Sequence, residues 1–323
     1  VRVVRAMGFG GPEVLVAGEA PDPAAGPGQV VVDVAVVALS FVQTQLRRGV
    51  TPGPPLPEPP YVPGASVAGL VTAVGHGVDL AWVGRRVVGH TASGDGGSAE
   101  RAVVAVEDLV PVPADVDLRV AAALLDDGAT ALGLVEGAAI RPDEWVLVEA
   151  AAGGLGSLLV QLARTAGARV VGAARGRAKL DLAEEVGADV VVDYSEPGWA
   201  DRVREATNGG PDLVFDGVGG AIGREAFGVT ARGGRFSVHG ASSGTATAID
   251  DTEARRAGVT VIGIDQLLGF GAHSAGRATR ALAEAAAGRL RPVIGKAFPL
   301  ELASSAHAAM EAREVLGKTL LVL

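Results

Sequence analysis

The chain contains no cysteine. Disulfides, thiolate nucleophiles and cysteine-ligated zinc are therefore excluded. Aromatic residues make up only 4% of its 323 residues, too few for an extensive base-stacking platform. Positive charge is in deficit: 28 Lys and Arg face 37 Asp and Glu, a net charge of −9. That balance argues against a nucleic-acid surface and against anchoring on anionic lipid. Long apolar runs are missing as well. No stretch reaches the roughly 18 uncharged apolar residues a membrane helix needs. The run Val30 to Leu39 is broken by Asp33 and rich in valine, so it reads as a strand. The opening VRVVRAMGFGG has no apolar core of a targeting segment. The expectation is a soluble cytoplasmic protein with neither nucleic acid nor membrane as partner.

What is present suffices for a sizeable core: 48% hydrophobic residues against 20% charged. At roughly 150 residues per domain, two domains are expected. The first third reads as β-structure, with strands at Val30 to Val37, Val67 to Val74 and Arg85 to Val88. GVTPGPPLPEPPYVP, residues 49–63, is too rich in proline for a helix or a central strand and reads as a surface loop. Near Asp117 an Ala/Leu-rich helix begins, and a second helix is expected from Gly128 to Ala139. From Trp145 short Val-rich strands alternate with helices through Val259 to Ile262. That alternation means βαβ units and a parallel sheet covered on both faces. The helix Ser274 to Gly288, an extended return over 291–299, the helix Ala303 to Ala312 and the strand Lys318 to Leu323 close the chain. Linkers are placed near 117 and 291.

The strongest motif is Ala151-Ala152-Gly153-Gly154-Leu155-Gly156. It follows a strand and opens a helix, the context that an A-x-G-x-x-G dinucleotide loop requires. Gly153 lets the backbone approach a pyrophosphate, and Gly154, Leu155 and Gly156 start the helix whose free N–H groups face it. A tight βα turn without ligand is the bland alternative. An NAD site places Asp or Glu about 20 residues further on, to bind the ribose 2′-OH. Here the next strand ends in Ala174-Arg175-Gly176-Arg177-Ala178-Lys179, with no acid and three cations. Ala174, Arg175 and Lys179 suit a 2′-phosphate; a solvated basic turn is the alternative.

Along the whole chain, a set of segments in fixed order resembles one family. They are Ala6-Met7-Gly8-Phe9-Gly10-Gly11-Pro12-Glu13-Val14-Leu15, Pro60-Tyr61-Val62-Pro63-Gly64-Ala65-Ser66-Val67-Ala68-Gly69, Gly84-Arg85-Arg86-Val87, Ala151 to Gly156, Asp193-Tyr194, Asp216-Gly217-Val218-Gly219, Gly233-Gly234-Arg235 and Gly317-Lys318. The family is the medium-chain dehydrogenase/reductase superfamily, in its zinc-independent quinone oxidoreductase (zeta-crystallin-like) branch. The resemblance implies an α/β chain with a Rossmann doubly wound parallel sheet, residues 118–290. This is inserted in a GroES-like, mainly β catalytic domain, residues 1–117 and 291–323. It implies NADPH in the cleft between them, with Tyr194 beside the 2′-phosphate and Thr130, Val218, His239 and Gly240 along the nicotinamide half. It also implies a homodimer paired through Val259 to Ile262.

No metal is expected. His76, His90, His239, His273 and His307 are scattered without ligand spacing, and there is no cysteine to join them. The substrate side departs from the family. Its usual Asn-x-x-Asp matches Ser40-Phe41-Val42-Gln43, and its frequent Tyr matches Thr51. A carboxylate and a phenol are lost, and Ser40 and Gln43 stand in the reactive positions. Phe41, Thr51, Tyr61 and Phe270 are the expected pocket residues, walled by 49–63 and 266–273. Two acids, Asp126 and Asp127, occupy a position the family usually keeps apolar. One is expected to cap the helix starting at Gly128 and the other to hold a proton as a general acid. The implied activity is hydride transfer from NADPH to a quinone or an α,β-unsaturated carbonyl. A non-redox cyclase or dehydratase, and an NADPH-binding protein with a structural or sensing role, remain open beside it.

Overall fold

The computed structural model describes residues 1–51 and 55–323. Residues 52–54 of the expected 49–63 loop lie outside the described residues. The chain opens with an antiparallel pair, β1 (Arg2–Ala6) and β2 (Leu15–Glu19). There follow β3 (Gln29–Leu39), α1 (Phe41–Arg47), β4 (Ser66–Val74), β5 (Arg86–His90), β6 (Arg101–Ala105), β7 (Val110–Pro111) and α2 (Leu118–Ala138). The alternating part runs β8 (Trp145–Glu149), α3 (Gly154–Thr165), β9 (Arg169–Ala174), α4 (Arg177–Glu185), β10 (Val190–Asp193), α5 (Trp199–Ala206), β11 (Leu213–Asp216), α6 (Gly220–Val229), β12 (Arg235–Val238), α7 (Asp251–Ala257) and β13 (Thr260–Ile262). The chain closes with α8 (Ser274–Ala286), β14 (Ile294–Pro299), α9 (Ala303–Glu311) and β15 (Lys318–Val322).

Contacts divide the chain into two units, Val1–Asp126 with Ala278–Leu323, and Asp127–Arg277. Against the linkers expected near 117 and 291, the divisions fall inside α2 and inside α8.

In the first unit β14, β15, β3, β4, β5 and β7 line up as one sheet, with β6 also paired to β3. The C-terminal tail thus completes a sheet begun by the N-terminal third, as the GroES-like expectation requires. Valines of β3, β4, β5 and β6 share one apolar cluster with Phe298, Leu300 and Leu321. Each such side chain, fully buried, contributes roughly 1.5–3 kcal/mol.

In the second unit six parallel strands take the order β10-β9-β8-β11-β12-β13. This is the doubly wound Rossmann order. Val146, Leu147 and Val148 are all fully buried, because helices cover both faces of a parallel sheet.

One expectation about the helices is overturned. Leu118 to Ala138 is a single helix of 21 residues. No helix starts at Gly128, so Asp127 is mid-helix and caps nothing, and no N-terminal dipole acts there. Buried residues continue on both sides of the acids, from Ala121 to Leu125 and again at Ala129, Ala131, Leu132 and Leu134. Packing on that scale outweighs the roughly 1 kcal/mol that one helical glycine costs. Among the described residues, no helix is long and apolar enough to cross a membrane.

Candidate functional site

The A-x-G-x-x-G segment lies between β8 and α3, as its spacing predicts. Ala150 takes a left-handed φ of 48°, an unusual conformation for alanine and a local strain. Gly153 caps α3 in extended backbone. A Cβ on Gly156 would stand 2.2 Å from the Ala150 carbonyl oxygen, so only glycine allows the helix to approach the loop this closely. The first turn of α3, with Gly154 and Leu155, has N–H groups without intrahelical acceptors, which fit a pyrophosphate.

At the end of β9, Ala174 is buried and Arg175 is exposed. Arg177 is engaged within its own helix, 2.5 Å from Asp181. Lys179 lies on the first turn of α4. The nearest acid, Asp193, ends β10 instead of β9. Its carboxylate accepts from the N–H groups of Gly176 and Ser195 at 2.8 Å each. Burial works to raise that carboxyl, but the bonds from Ser195 and Gly176, aided by Arg175, hold it below the ordinary range. Tyr194 packs edge-on against Trp199, with centroids 6.3 Å apart. Arg175 and Lys179 suit a phosphate on the ribose.

The strand order reverses between β8 and β11, the switch point where ligands of such sheets bind. β8 ends on Glu149 and β11 on Asp216, and both are fully buried. The Val218 N–H donates to Glu149 Oε2 at 3.3 Å and to Asp216 Oδ1 at 3.1 Å. The Gly219 N–H donates to the same Asp216 oxygen at 2.7 Å. Burial pushes the Glu149 carboxyl well above its ordinary range, and the neighbouring Asp216 pushes it further. Glu149 thus holds a proton more tightly than an ordinary carboxyl does.

His239, after β12, sits edge-on to Phe215 at 6.2 Å. A Cβ on Gly217 would stand 2.8 Å from its Nε2. Burial holds its imidazole neutral, down at about 4, against the pull of Asp216. Val218, His239 and Gly240 therefore meet at one end of the parallel sheet, around a pair of acids that the motifs did not single out. Thr130 is half-buried in the middle of α2.

A second polar cluster lies at one end of the seven-stranded sheet. Ser66 opens β4 opposite both Ala38 and His90, and Thr319 pairs with Leu39. Ser66, His90, Lys318 and the turn at Ser40 thus share one end. Asp126 reaches it from α2. His90 Nε2 stands 2.7 Å from Asp126 Oδ1, and Ser66 Oγ donates to Asp126 Oδ2. Desolvation works to raise the Asp126 carboxyl. The bond and charge of His90, with Lys318 and Ser66 behind them, overcome it and hold the carboxyl at about 2. The same bond raises His90, with burial opposing and the charges of Asp126 and Asp108 assisting. Of the two acids, one of which is expected to hold a proton, Asp126 is the one held ionised near neutral pH.

Gln43 is also reassigned. Its Oε1 accepts the Ser40 N–H at 3.2 Å, so the amide caps α1. Phe41 lies under the guanidinium of Arg313 at 3.9 Å. Tyr61 bridges to Ala6 through backbone bonds, its ring packed against the core of the first unit. Thr51 is exposed at the edge of the described loop. The Phe270 ring lies against Gly133 of α2 and under Arg277, 4.9 Å away.

Sequence reasoning missed His90, Ser66 and Lys318 because 36 and 60 residues separate the first two from Asp126, and no local pattern joins them. Glu149 did have a signal: an acid closing an apolar strand next to a Gly-rich loop.

Known proteins share this fold. The alcohol dehydrogenase GroES-like domain family matches residues 26–114, and the zinc-binding dehydrogenase family matches residues 154–272. A 2-haloacrylate reductase from a Burkholderia species is 32% identical over 323 residues, 97% of this chain and 96% of that protein. The quinone oxidoreductase of Rattus norvegicus is 31% identical, over 100% of this chain and 98% of that one. The structure of Escherichia coli quinone oxidoreductase complexed with NADPH superposes with a TM-score of 0.91 at 27% identity, over all of both chains. A mycobacterial protein complexed with NADPH gives 0.90 at 32% identity, over 100% of this chain and 99% of that one. The chain belongs to the medium-chain dehydrogenase/reductase superfamily, in its zinc-independent quinone oxidoreductase branch. The word zinc in the second family's description finds no cysteine here, and among the described residues no three His, Asp or Glu gather as a metal site.

Proposed function

We propose that the chain is an NADPH-dependent oxidoreductase that passes hydride to a quinone or an α,β-unsaturated carbonyl. The observation that carries this reading is the end of β9. Where an NAD site has its acid, this chain has buried Ala174, exposed Arg175 and, one turn on, Lys179. The relatives support the substrate class, since one is named for quinones and another for a haloacrylate. In this reading Thr130, Val218, His239 and Gly240 serve the nicotinamide half. Ser40 and Asp126 stand at the substrate end, with Gln43 holding the Ser40 turn. Asp127, which follows Asp126 on α2, is kept as a substrate-side residue, and Phe41, Thr51, Tyr61 and Phe270 shape the pocket. The enzyme is read as a cytoplasmic homodimer. Its β13 is an edge strand of the six-stranded sheet and is available for pairing.

Charge-assisted contacts to a phosphate are worth roughly 1.5–3 kcal/mol each. Arg175→Ala with Lys179→Ala is therefore expected to weaken NADPH binding about 100-fold or more and leave NADH nearly unchanged. Fluorescence titration of both cofactors checks this. Equal affinities in the wild type would overturn the cofactor assignment. Loss of NADPH absorbance with quinones and enones tests the reaction; conversion without NADPH would favour the non-redox reading.

A further inference from the structure

We infer that Asp193 is a positioning residue for the cofactor's 2′-phosphate: it holds the Arg175–Gly176 turn and thereby sets the choice of NADPH over NADH. The inference rests on the reductase reading and deepens its cofactor site. Every residue it uses belongs to the unit Asp127–Arg277.

The register of the parallel sheet places the residue. Asp193 closes β10 directly opposite Ala174, the last residue of β9. Ligands of such sheets lie beyond the carboxyl ends of the strands, and the end of β9 is where an NAD site carries the acid that grips the ribose diol. An acid therefore stands one strand away from that position. It has two uses open to it: to bind the diol itself, or to shape the turn that binds a phosphate.

Its hydrogen bonds decide between them. Asp193 Oδ2 accepts the Gly176 N–H at 2.8 Å. Oδ1 accepts the Ser195 N–H at 2.8 Å and the Ser195 hydroxyl at 2.5 Å. A carboxylate has about four lone-pair directions, two on each oxygen. Oδ1 has none left, so a two-point grip on a diol is closed. What the carboxylate does hold is the turn. Gly176 has a φ of 82° and is the residue from which α4 starts. Glycine has the widest conformational freedom of all residues, so this position needs a tie. With it, Arg175 on one side and Lys179 one turn on are carried on a fixed backbone. The Tyr194 N–H adds a second tie, to the Ala174 carbonyl at 3.1 Å. The charge is balanced as well. A bare carboxylate here would repel a phosphate dianion, whereas this one is met by its donors and by the field of Arg175.

The test is fluorescence titration of NADPH and NADH with wild type, Asp193→Asn and Gly176→Ala. In Asp193→Asn the amide accepts on one side only and turns N–H toward N–H on the other, which loosens the turn. Gly176→Ala disturbs the same turn without touching the carboxylate. A Cβ there meets no atom within 4 Å among the described residues, so the substitution acts through the left-handed φ alone. In both variants Kd for NADPH is expected to rise about 10-fold and Kd for NADH to change less than about twofold. In the Arg175→Ala/Lys179→Ala background Asp193→Asn adds less than about twofold, because its effect runs through those cations. One readout needs no cofactor: amide hydrogen exchange at Gly176 is faster in Asp193→Asn than in wild type. Unchanged exchange overturns the proposal. Equal losses for both cofactors mark a general structural role and overturn it too. So does tighter NADPH binding in Asp193→Asn, which would mean that the charge opposes the phosphate. A loss confined to NADH would make Asp193 the diol ligand and end the proposal as well. Wild type that binds NADH as tightly as NADPH sinks the cofactor reading itself, whatever the variants do.

Discussion

Each unit holds a cluster built around a carboxyl group, and the two clusters resolve their charge in opposite ways. In the first unit Asp126 meets a histidine, a hydroxyl and a lysine's field, and its side chain keeps 41% of its exposure. It stays ionised and hands the proton to its partner. In the second, Glu149 meets another acid and no solvent, and it keeps the proton. The same functional group thus becomes a fixed anion in one place and a group that holds its proton tightly in the other. Neighbour sign and solvent access decide which, not residue type. The first arrangement suits chemistry, because the charge can be reached. The second suits construction: the Val218 N–H, shared between Glu149 and Asp216, ties the strand before the dinucleotide loop to the turn that follows β11.

Removing the buried acid is the largest perturbation of this comparison. Glu149→Ala takes a partner from the Val218 N–H and leaves Asp216 buried without the neutral group beside it. A loss of about 1–3 kcal/mol is expected, with weaker NADPH binding. Glu149→Gln keeps shape and neutrality and should stay within about 0.5 kcal/mol of wild type, as substitutions that spare their contacts usually do. Thermal melts and cofactor titration measure both. If Gln is as damaging as Ala, Glu149 does not hold its proton tightly and the contrast collapses.

The pH dependence sharpens the same point. The folded pKa of Glu149 is raised, so folded protein holds this proton more tightly than unfolded chain. Its contribution is complete below the ordinary carboxyl value of 4.5 and is lost as pH rises through the folded value. Wild type should lose stability on the alkaline side relative to Glu149→Gln, in denaturant melts run at successive pH values. Parallel curves for the two proteins would contradict the assignment.

How much of this was legible beforehand followed the range of the interactions. The parallel sheet, its helices and the dinucleotide loop were readable because strand, turn and helix are adjacent in the chain and each has a local pattern. The absent acid at Ala174 was readable for the same reason. The sequence marks Asp126 and Asp127 as a pair of which one could hold a proton, and only the distant partners of Asp126 show that it is held ionised. His90 and Ser66 arrive through the antiparallel register of β4 and β5, which no short window displays. The helix start at Gly128 failed because glycine and two acids imitate a cap, while the apolar face running past them on both sides holds one continuous helix. The spacing of Gln43 from Ser40 already fits a capping pair, a structural reading that stands beside the reactive one.

The smallest expected effect lies in the exposed pair, and its signs are opposed. Asp126 is held at about 2, below its ordinary 3.8, so its contribution is present above 3.8 and fades as pH falls towards 2. His90 is raised, so its share is complete below 6.5 and fades as pH climbs through its folded value. Together they predict a shallow stability optimum between those limits, on top of the slope from Glu149. Solvent screens a pair this exposed, so the whole effect should stay under about 1 kcal/mol. Asp126→Asn removes both limbs at once, since it deletes the anion and the reason for the raised imidazole. Urea melts of Asp126→Asn and wild type from pH 3 to 9, on the order of half a unit apart, should therefore differ most between pH 4 and 6.5 and converge at either end. A difference that persists undiminished at alkaline pH would show that His90 is not charged by Asp126, and would return the two clusters to equal footing.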